Sequence, residues 1–288
     1  MRTNIARRIK AKAQREISKL ANNLIGPIDA LAYGSFYNFP FGDQPTASSS
    51  QYLEIWTKEK EKRYSVSDEY ERKCGHSIDR NWLNNLALRT QVVIKDDDIC
   101  YQHGRILYST LSAYIERNSL RSINIFETGT ARGFSALCMA KAMQDSDQQG
   151  KIVTFDVLPH DLSMFWNCIS DQEGPMTRSE MLRDYGSLME DYIIFIQGDS
   201  KHQCRKVSIP RVNFAFLDGE HTKEYVCNEF KYIKNRQAKG DMVCFDDYTP
   251  NLFPGVVEAV DEICERYNYS KEILTVSAQR GYAIAQKK

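Results

Sequence analysis

The fold is decided by residues 123–135, INIFETGTARGFS. Its apolar start, Ile123, Ile125 and Phe126, reads as a buried strand. Glu127 closes that strand, a turn carrying Gly129 and Gly133 follows, and residues 136–142 (ALCMAKA) continue as a helix. Strand, glycine turn and helix are how an α/β sheet offers bare backbone N–H groups to a nucleotide-like ligand. Glycine is required where the chain turns sharply and where a ligand must touch backbone. A dinucleotide fingerprint fills the position between these two glycines with a third, but here it is Ala131, which disfavours a nicotinamide site.

The 288 residues suffice for one large α/β domain with an N-terminal elaboration. Lys+Arg and Asp+Glu both number 38, so nothing in the charge balance points to a nucleic-acid partner. Eight cysteines are scattered without a C-x-x-C pair, several inside apolar patterns where cysteine acts as a small hydrophobe. Reduced thiols in a cytoplasmic protein are expected, rather than a disulfide framework or zinc site. No apolar run approaches a transmembrane span, and no signal-peptide core follows the start.

Residues 1–25 are basic, with Ile5, Ile9, Ala13, Ile17, Leu20 and Leu24 at helical spacing. They are expected to form a solvated helix packed on the domain or on a second subunit, rather than a membrane-surface helix or transit peptide. Residues 33–50 mix Gly, Pro, Ser and aromatics, which predicts a loop folded back over a pocket. Residues 51–120 read as helices, with Ser67-Asp68-Glu69 and Ser77-Ile78-Asp79 as starts. Within them His103 sits in a polar cluster, YQHGR, that either borders a ligand or is structural. Residues 1–120 are thus expected to be a helical extension and substrate-side cap, and 121–288 the ligand-binding domain.

From residue 121 strands and helices alternate. Residues 151–156, 192–197, 212–217 and 242–245 are short, continuously apolar runs, as strands buried on both faces should be. Helices are expected at 135–142, 178–189, 223–236 and 256–266, and a hairpin over 273–285 turning at Gln279-Arg280-Gly281. An insert at 159–191 carries Phe165, Trp166 and Met181 and reads either as a lid or as extra packed helices.

The strand ends are acidic: Glu127, Asp156, Asp199, Asp218 and the pair Asp246-Asp247. One carboxylate after a strand is an ordinary helix cap. One after each of five strands means like charges converging on one crevice, which repel unless something cationic or hydrogen-bonding joins them. Asp156 lies 23 residues beyond Gly133, where an acid accepts the ribose hydroxyls of a nucleoside. Asp218, Asp246 and Asp247 make a hard-oxygen set suited to Mg²⁺. His221 reads as a general base, a further metal ligand, or a cap for the helix beginning at Thr222.

The E-x-G-x-x-x-G pattern of Glu127, Gly129 and Gly133 resembles motif I of class I S-adenosylmethionine (SAM)-dependent methyltransferases. Asp218-Gly219-Glu220-His221, residues 240–248 ending in Asp246-Asp247-Tyr248, and Pro254-Gly255-Val256 resemble the metal-dependent macrocin and mycinamicin sugar O-methyltransferases and the cephalosporin-hydroxylase-like group. The resemblance spans roughly residues 100–286. It implies a doubly wound, mostly parallel seven-stranded Rossmann-like sheet. It also implies SAM held by Glu127, Gly129, Thr130, Gly133, Ser135, Asp156, Asp199 and Asp218, and Mg²⁺ held by Asp218, Asp246 and Asp247. The reaction implied is methyl transfer to a hydroxyl of a sugar or secondary metabolite, with Asp218 at the chemistry; His221 is a catalytic candidate from its own position alone. His221 has no counterpart in the sugar enzymes. Aromatic-rich additions to this fold often build dimers, so a homodimer is compatible with the resemblance. The competing expectations are a SAM-fold protein that binds without turnover and, further off, a nucleotide-cofactor oxidoreductase.

Overall fold

Strand β1 (Ser122–Thr128) is buried on both faces, and its side chains alternate between two separate cores. Ile123 and Ile125 join one apolar cluster, while Phe126 joins the other. The same alternation recurs in β4 (Phe214–Leu217), with Phe214 and Phe216 on the first side and Ala215 and Leu217 on the second. In β5 (Met242–Phe245), Met242 and Cys244 likewise oppose Val243 and Phe245. Strands apolar at every position therefore become the middle layer of a three-layer sandwich.

The computed structural model describes residues 39–288, of which Phe41–Lys288 form one compact unit. The basic helix expected over 1–25 and the first part of the loop expected over 33–50 lie outside the described residues.

The sheet has seven strands, adding β2 (Gln149–Asp156), β3 (Ile193–Gln197), β6 (Tyr269–Ser277) and β7 (Arg280–Lys287), in the order β3-β2-β1-β4-β5-β7-β6. β1 to β5 pair in parallel, and β7 enters antiparallel between β5 and β6. This is the doubly wound, mostly parallel Rossmann-like arrangement of methyltransferases, with its reversal of strand order at β1/β4. Ligands of such sheets sit at that reversal, beyond the carboxyl ends.

Among the described residues four helices precede the sheet: α1 (Ser49–Lys60), α2 (Ser65–Cys74), α3 (Arg80–Thr90) and α4 (Gln102–Asn118). α4 is buried from Gln102 to Ile115, including Arg105, whose guanidinium bonds both Glu71 oxygens (3.0 and 2.6 Å) and Asp68 of α2 (2.5 Å). Gly104 lets it press on α5 (Phe134–Asp145), where a side chain would meet the Phe134 ring at 2.7 Å. α2 begins at Ser65, two residues before the expected Ser67, while Asp79 caps α3 as expected by accepting from Trp82 N–H at 2.7 Å.

The helix expected over 178–189 is broken into α6 (Arg178–Met181), a 3₁₀ turn at Arg183–Tyr185 and α7 (Gly186–Tyr192). The break lets Leu182 pack on Gly133 while Tyr185 sets its ring edge-on to Trp82 of α3, 5.5 Å away. β4 starts two residues later than expected because the Asn213 side chain takes the β1 amide of Asn124 (2.9 Å). Three more helices complete the chain: α8 (Ser200–Gln203), α9 (Lys223–Ile233) and α10 (Pro254–Arg266). All eight cysteines are free, and no helix among the described residues is long and apolar enough to cross a membrane.

At Gly129 (φ +82°) an added Cβ would fall inside the van der Waals shell of the Asp218 carbonyl oxygen. Gly186 has ordinary φ and nothing within 4 Å of the equivalent point. Gly129→Ala should therefore cost at least the ~1–3 kcal/mol of a strained backbone. At roughly 2–4 °C per kcal/mol that drop is visible in thermal denaturation, whereas Gly186→Ala should leave Tm within about 2 °C.

Candidate functional site

The turn after β1 is held in a left-handed arc, with positive φ at Gly129, Ala131 and Gly133. Alanine in that region is uncommon and strained, and Asp156 is what holds it there. One Asp156 oxygen accepts from Ala131 N–H (2.6 Å) and the other from Leu158 N–H (2.7 Å). Gly129 and Thr130 donate their N–H groups to Phe155 (2.9 and 3.4 Å), and the Thr130 hydroxyl lies 2.5 Å from that of Thr154. The expected cofactor residues Gly129, Thr130, Gly133 and Asp156 thus form one rigid turn, with acceptor capacity left on Asp156.

Glu127 lies beneath it, fully buried, and neither carboxylate oxygen has a hydrogen-bond partner among the described residues. Burial pushes its carboxyl up to about 7; the nearby Ser135 and Thr154 hydroxyls and Arg178 pull the other way without forming a closed bond. An orphaned buried carboxylate costs several kcal/mol unless a cation or donor meets it. That vacancy of partners fits a cationic nucleoside such as SAM.

Asp199 stands differently. It caps α8, accepting from Lys201 N–H (2.8 Å) and from the Tyr225 hydroxyl of α9 (3.0 Å). Its carboxylate is committed to those groups at the end of β3.

The second group gathers at the ends of β4 and β5. Asp218, His221 and Asp247 offer ligand atoms within 4.8 Å of one another. His221 Nδ1 is 3.0 Å from one Asp247 oxygen, and Arg280 of β7 donates to the other at 2.8 Å. Burial pushes Asp247 up, but the His221 bond and the Arg280 guanidinium more than offset it and hold the carboxyl below its usual range. The same bond holds the His221 imidazole above its usual value. Asp246 stands beside this group: it accepts its neighbour's N–H (2.9 Å), and Arg280 lies 3.7 Å from its second oxygen. Burial and the adjacent carboxylates raise Asp218 and Asp246 above the ordinary carboxylate range. Asp247 itself sits at φ +53°, pinned where Tyr248 N–H reaches Gly281 O across the hairpin (2.9 Å). These donors suit a hard divalent cation once Asp247 shares its oxygens, since two acids and an imidazole converge.

His221 does not cap α9, because Thr222 does so, accepting from Tyr225 N–H at 3.3 Å. His103 is buried, stacked on Phe216 (6.3 Å) and edge-on to Phe134 (4.8 Å), and burial lowers its pKa to about 3. It packs in the core within electrostatic reach of Arg280 and Asp247.

Two functional candidates escaped the sequence reading. Arg280 stood only in an expected turn, and Arg178 only at a helix start. The one signal for Arg280 was the excess of acids at the strand ends, which demanded a cation from somewhere. The insert carrying Arg178 is packed against the turn: Arg132 donates to Trp166 O (2.6 Å), and Arg178 donates to Ala131 O (3.0 Å). Phe41, from the loop at 39–48, lies under the Arg132 guanidinium, 4.5 Å away.

The fold is that of a methyltransferase-like α/β domain, and residues 126–248 match the model of a family described as Methyltransferase domain. The chain is similar in fold to the SAM complex of the O-methyltransferase TomG from Streptomyces achromogenes, with TM-score 0.52 and 15% identity over 74% of this chain and 92% of that one. It is similar also to the SAH-bound methyltransferase PaMTH1 of Podospora anserina (TM-score 0.51, 17% identity, 78% and 96% covered). A third similar structure is cofactor-bound Rv0187 from MTB (TM-score 0.52, 14% identity, 73% and 90% covered). No curated protein sequence matches the chain.

Because its carboxyl titrates near 7 instead of 4.5, folded Glu127 keeps a proton that the unfolded chain has released between those values. Stability therefore falls as pH rises from about 4.5 to about 7, by on the order of 3 kcal/mol, and stays reduced above. Glu229, buried under Gly219, carries the same shift to about 7. Glu127→Gln should remove part of the loss in Tm between pH 5 and pH 8, measured on the ligand-free protein, and leave the share that Glu229 carries.

Proposed function

We propose that the chain is a SAM-dependent O-methyltransferase that methylates a hydroxyl of a small molecule, a sugar or a secondary metabolite. The observation that carries this reading is the His221–Asp247 contact at 3.0 Å, set at the strand ends beside the glycine turn. The methyltransferase-domain match over residues 126–248 supports the reaction class.

In this reading Glu127 faces the charged end of SAM, Asp156 the ribose, and residues 129–135, with Ser135, the body of the cofactor. Methyl transfer from a sulfonium is an in-line displacement, so the protein mainly aligns acceptor oxygen, methyl and sulfur. His221, with 41% of its side chain exposed, takes the hydroxyl proton, and Asp247 fixes the ring's orientation. Asp218 lines the junction between cofactor and acceptor. Arg280 keeps Asp247 ionised, so the imidazole always has an anion to lean on.

A specific observation favours adding Mg²⁺: ligand atoms of Asp218, His221 and Asp247 lie within 4.8 Å of one another, with Asp246 adjoining. A bound divalent ion would lower the pKa of an acceptor hydroxyl and position it. That role and the base role compete for His221, and the metal requirement decides between them.

Calorimetric titration of the purified protein with SAM, with and without Mg²⁺, is the first test. SAM should bind, and Asp156→Ala should weaken it by about 10-fold or more, the scale of hydrogen bonds to a charged group. His221→Gln should leave SAM affinity intact and lower kcat about 10²–10⁴-fold. A folded protein that does not bind SAM overturns the proposal. Turnover unaffected by EDTA assigns His221 as base, whereas its loss on EDTA and recovery with Mg²⁺ assigns it as ligand.

A further inference from the structure

Two buried groups of opposite charge beside the glycine turn keep polar atoms without a partner among the described residues. Glu127 leaves both carboxylate oxygens unpartnered among the described residues. Arg178, from α6 in the insert, is 2% exposed. Its Nε donates to Ala131 O at 3.0 Å, its Nη1 lies 3.3 Å from His160 Nδ1, and its Nη2 has no partner among the described residues. The rings of Trp166 (5.4 Å) and Phe195 (5.5 Å) hold the guanidinium in place, with His160 stacked on Phe195 at 4.4 Å. The head group is therefore fixed on every side but one.

Glu127 and Asp156 are near enough to act electrostatically on Arg178, and Arg178 acts on Glu127 in return. Even so, Nη2 and both Glu127 oxygens stay unbonded. Opposite charges removed from water attract strongly, and each alone carries a desolvation cost of several kcal/mol. They would close on each other if free to move. They are kept apart because Glu127 is fixed by β1 and Arg178 by the carbonyl of the turn. The separation is thus built into the backbone.

We propose that Arg178 is a further binding residue for an α-amino-acid zwitterion, its Nη2 donating to the carboxylate while the ammonium sits at Glu127. The inference rests on the methyltransferase reading, in which the zwitterion is the methionine end of SAM. It adds a binding residue from the insert between β2 and β3, so that this segment reads the cofactor as well as packing on the turn. A charge-assisted bond of this kind is worth about 1.5–3 kcal/mol, or roughly 10–150-fold in affinity.

The test compares S-adenosylhomocysteine with 5′-methylthioadenosine, which keeps the nucleoside and thioether but lacks the amino-acid group. Both are titrated calorimetrically into the full chain and into Arg178→Met and Glu127→Gln. Each variant should lose about 10–100-fold in affinity for S-adenosylhomocysteine while changing that for methylthioadenosine less than about 3-fold. The double difference survives even if one variant fails to fold, because the other reads the same ligand pair. Equal losses for both ligands would mean that Arg178 only props the turn, and overturn the proposal, as would no loss for S-adenosylhomocysteine. Wild-type protein that binds neither ligand overturns the methyltransferase reading and this inference with it.

Discussion

The site depends on one close approach: the Cα of Gly129 against the carbonyl of Asp218, where the ends of β1 and β4 meet. Only hydrogen fits between them. That contact makes the cofactor turn and the acid-bearing loop neighbours across the reversal of strand order, where a parallel sheet opens a crevice. Asp218 N–H donates to Thr128 O (3.2 Å), so the two loops are also joined by backbone. Asp156 then shapes the turn from the side, and Glu229 supports the loop at Gly219 from below.

Charge balance is the second constraint. Asp218, Asp246 and Asp247 converge at the ends of two adjacent strands, which like charges resist. The protein answers from a remote part of the chain. Arg280 reaches both members of the pair, and His221 takes the remaining oxygen of Asp247. Asp247 accepts a left-handed backbone in exchange for facing both, a conformation that aspartate tolerates better than most residues.

The sheet was legible because β4 and β5 are short and apolar at every position, a pattern that admits little besides burial on two faces. Gly129 and Gly133 were legible for the same local reason, since each answers a backbone demand visible within a dozen residues. Arg280 was not, lying 33 residues from Asp247, and neither was Arg178, lying 47 from Ala131. Spacing says nothing about contacts made by tertiary closure. The break in the helix expected over 178–189 was hidden likewise, because it answers to Gly133 and Trp82 rather than to its own residues. Asp199 fits a family position by sequence, and the contacts it makes as a cap of α8 and as acceptor for Tyr225 were not legible there.

The position of Arg280 in the last strand bears on how the chain acquires its fold during synthesis. A ribosome releases the three carboxylates at 218, 246 and 247 well before it releases the guanidinium that neutralises them. Until β7 slides between β5 and β6, the growing sheet carries an unpaired edge and a knot of uncompensated negative charge at the same end. The hairpin closes both defects in one docking event. Nascent chains stopped just short of residue 280 thus carry both defects at once.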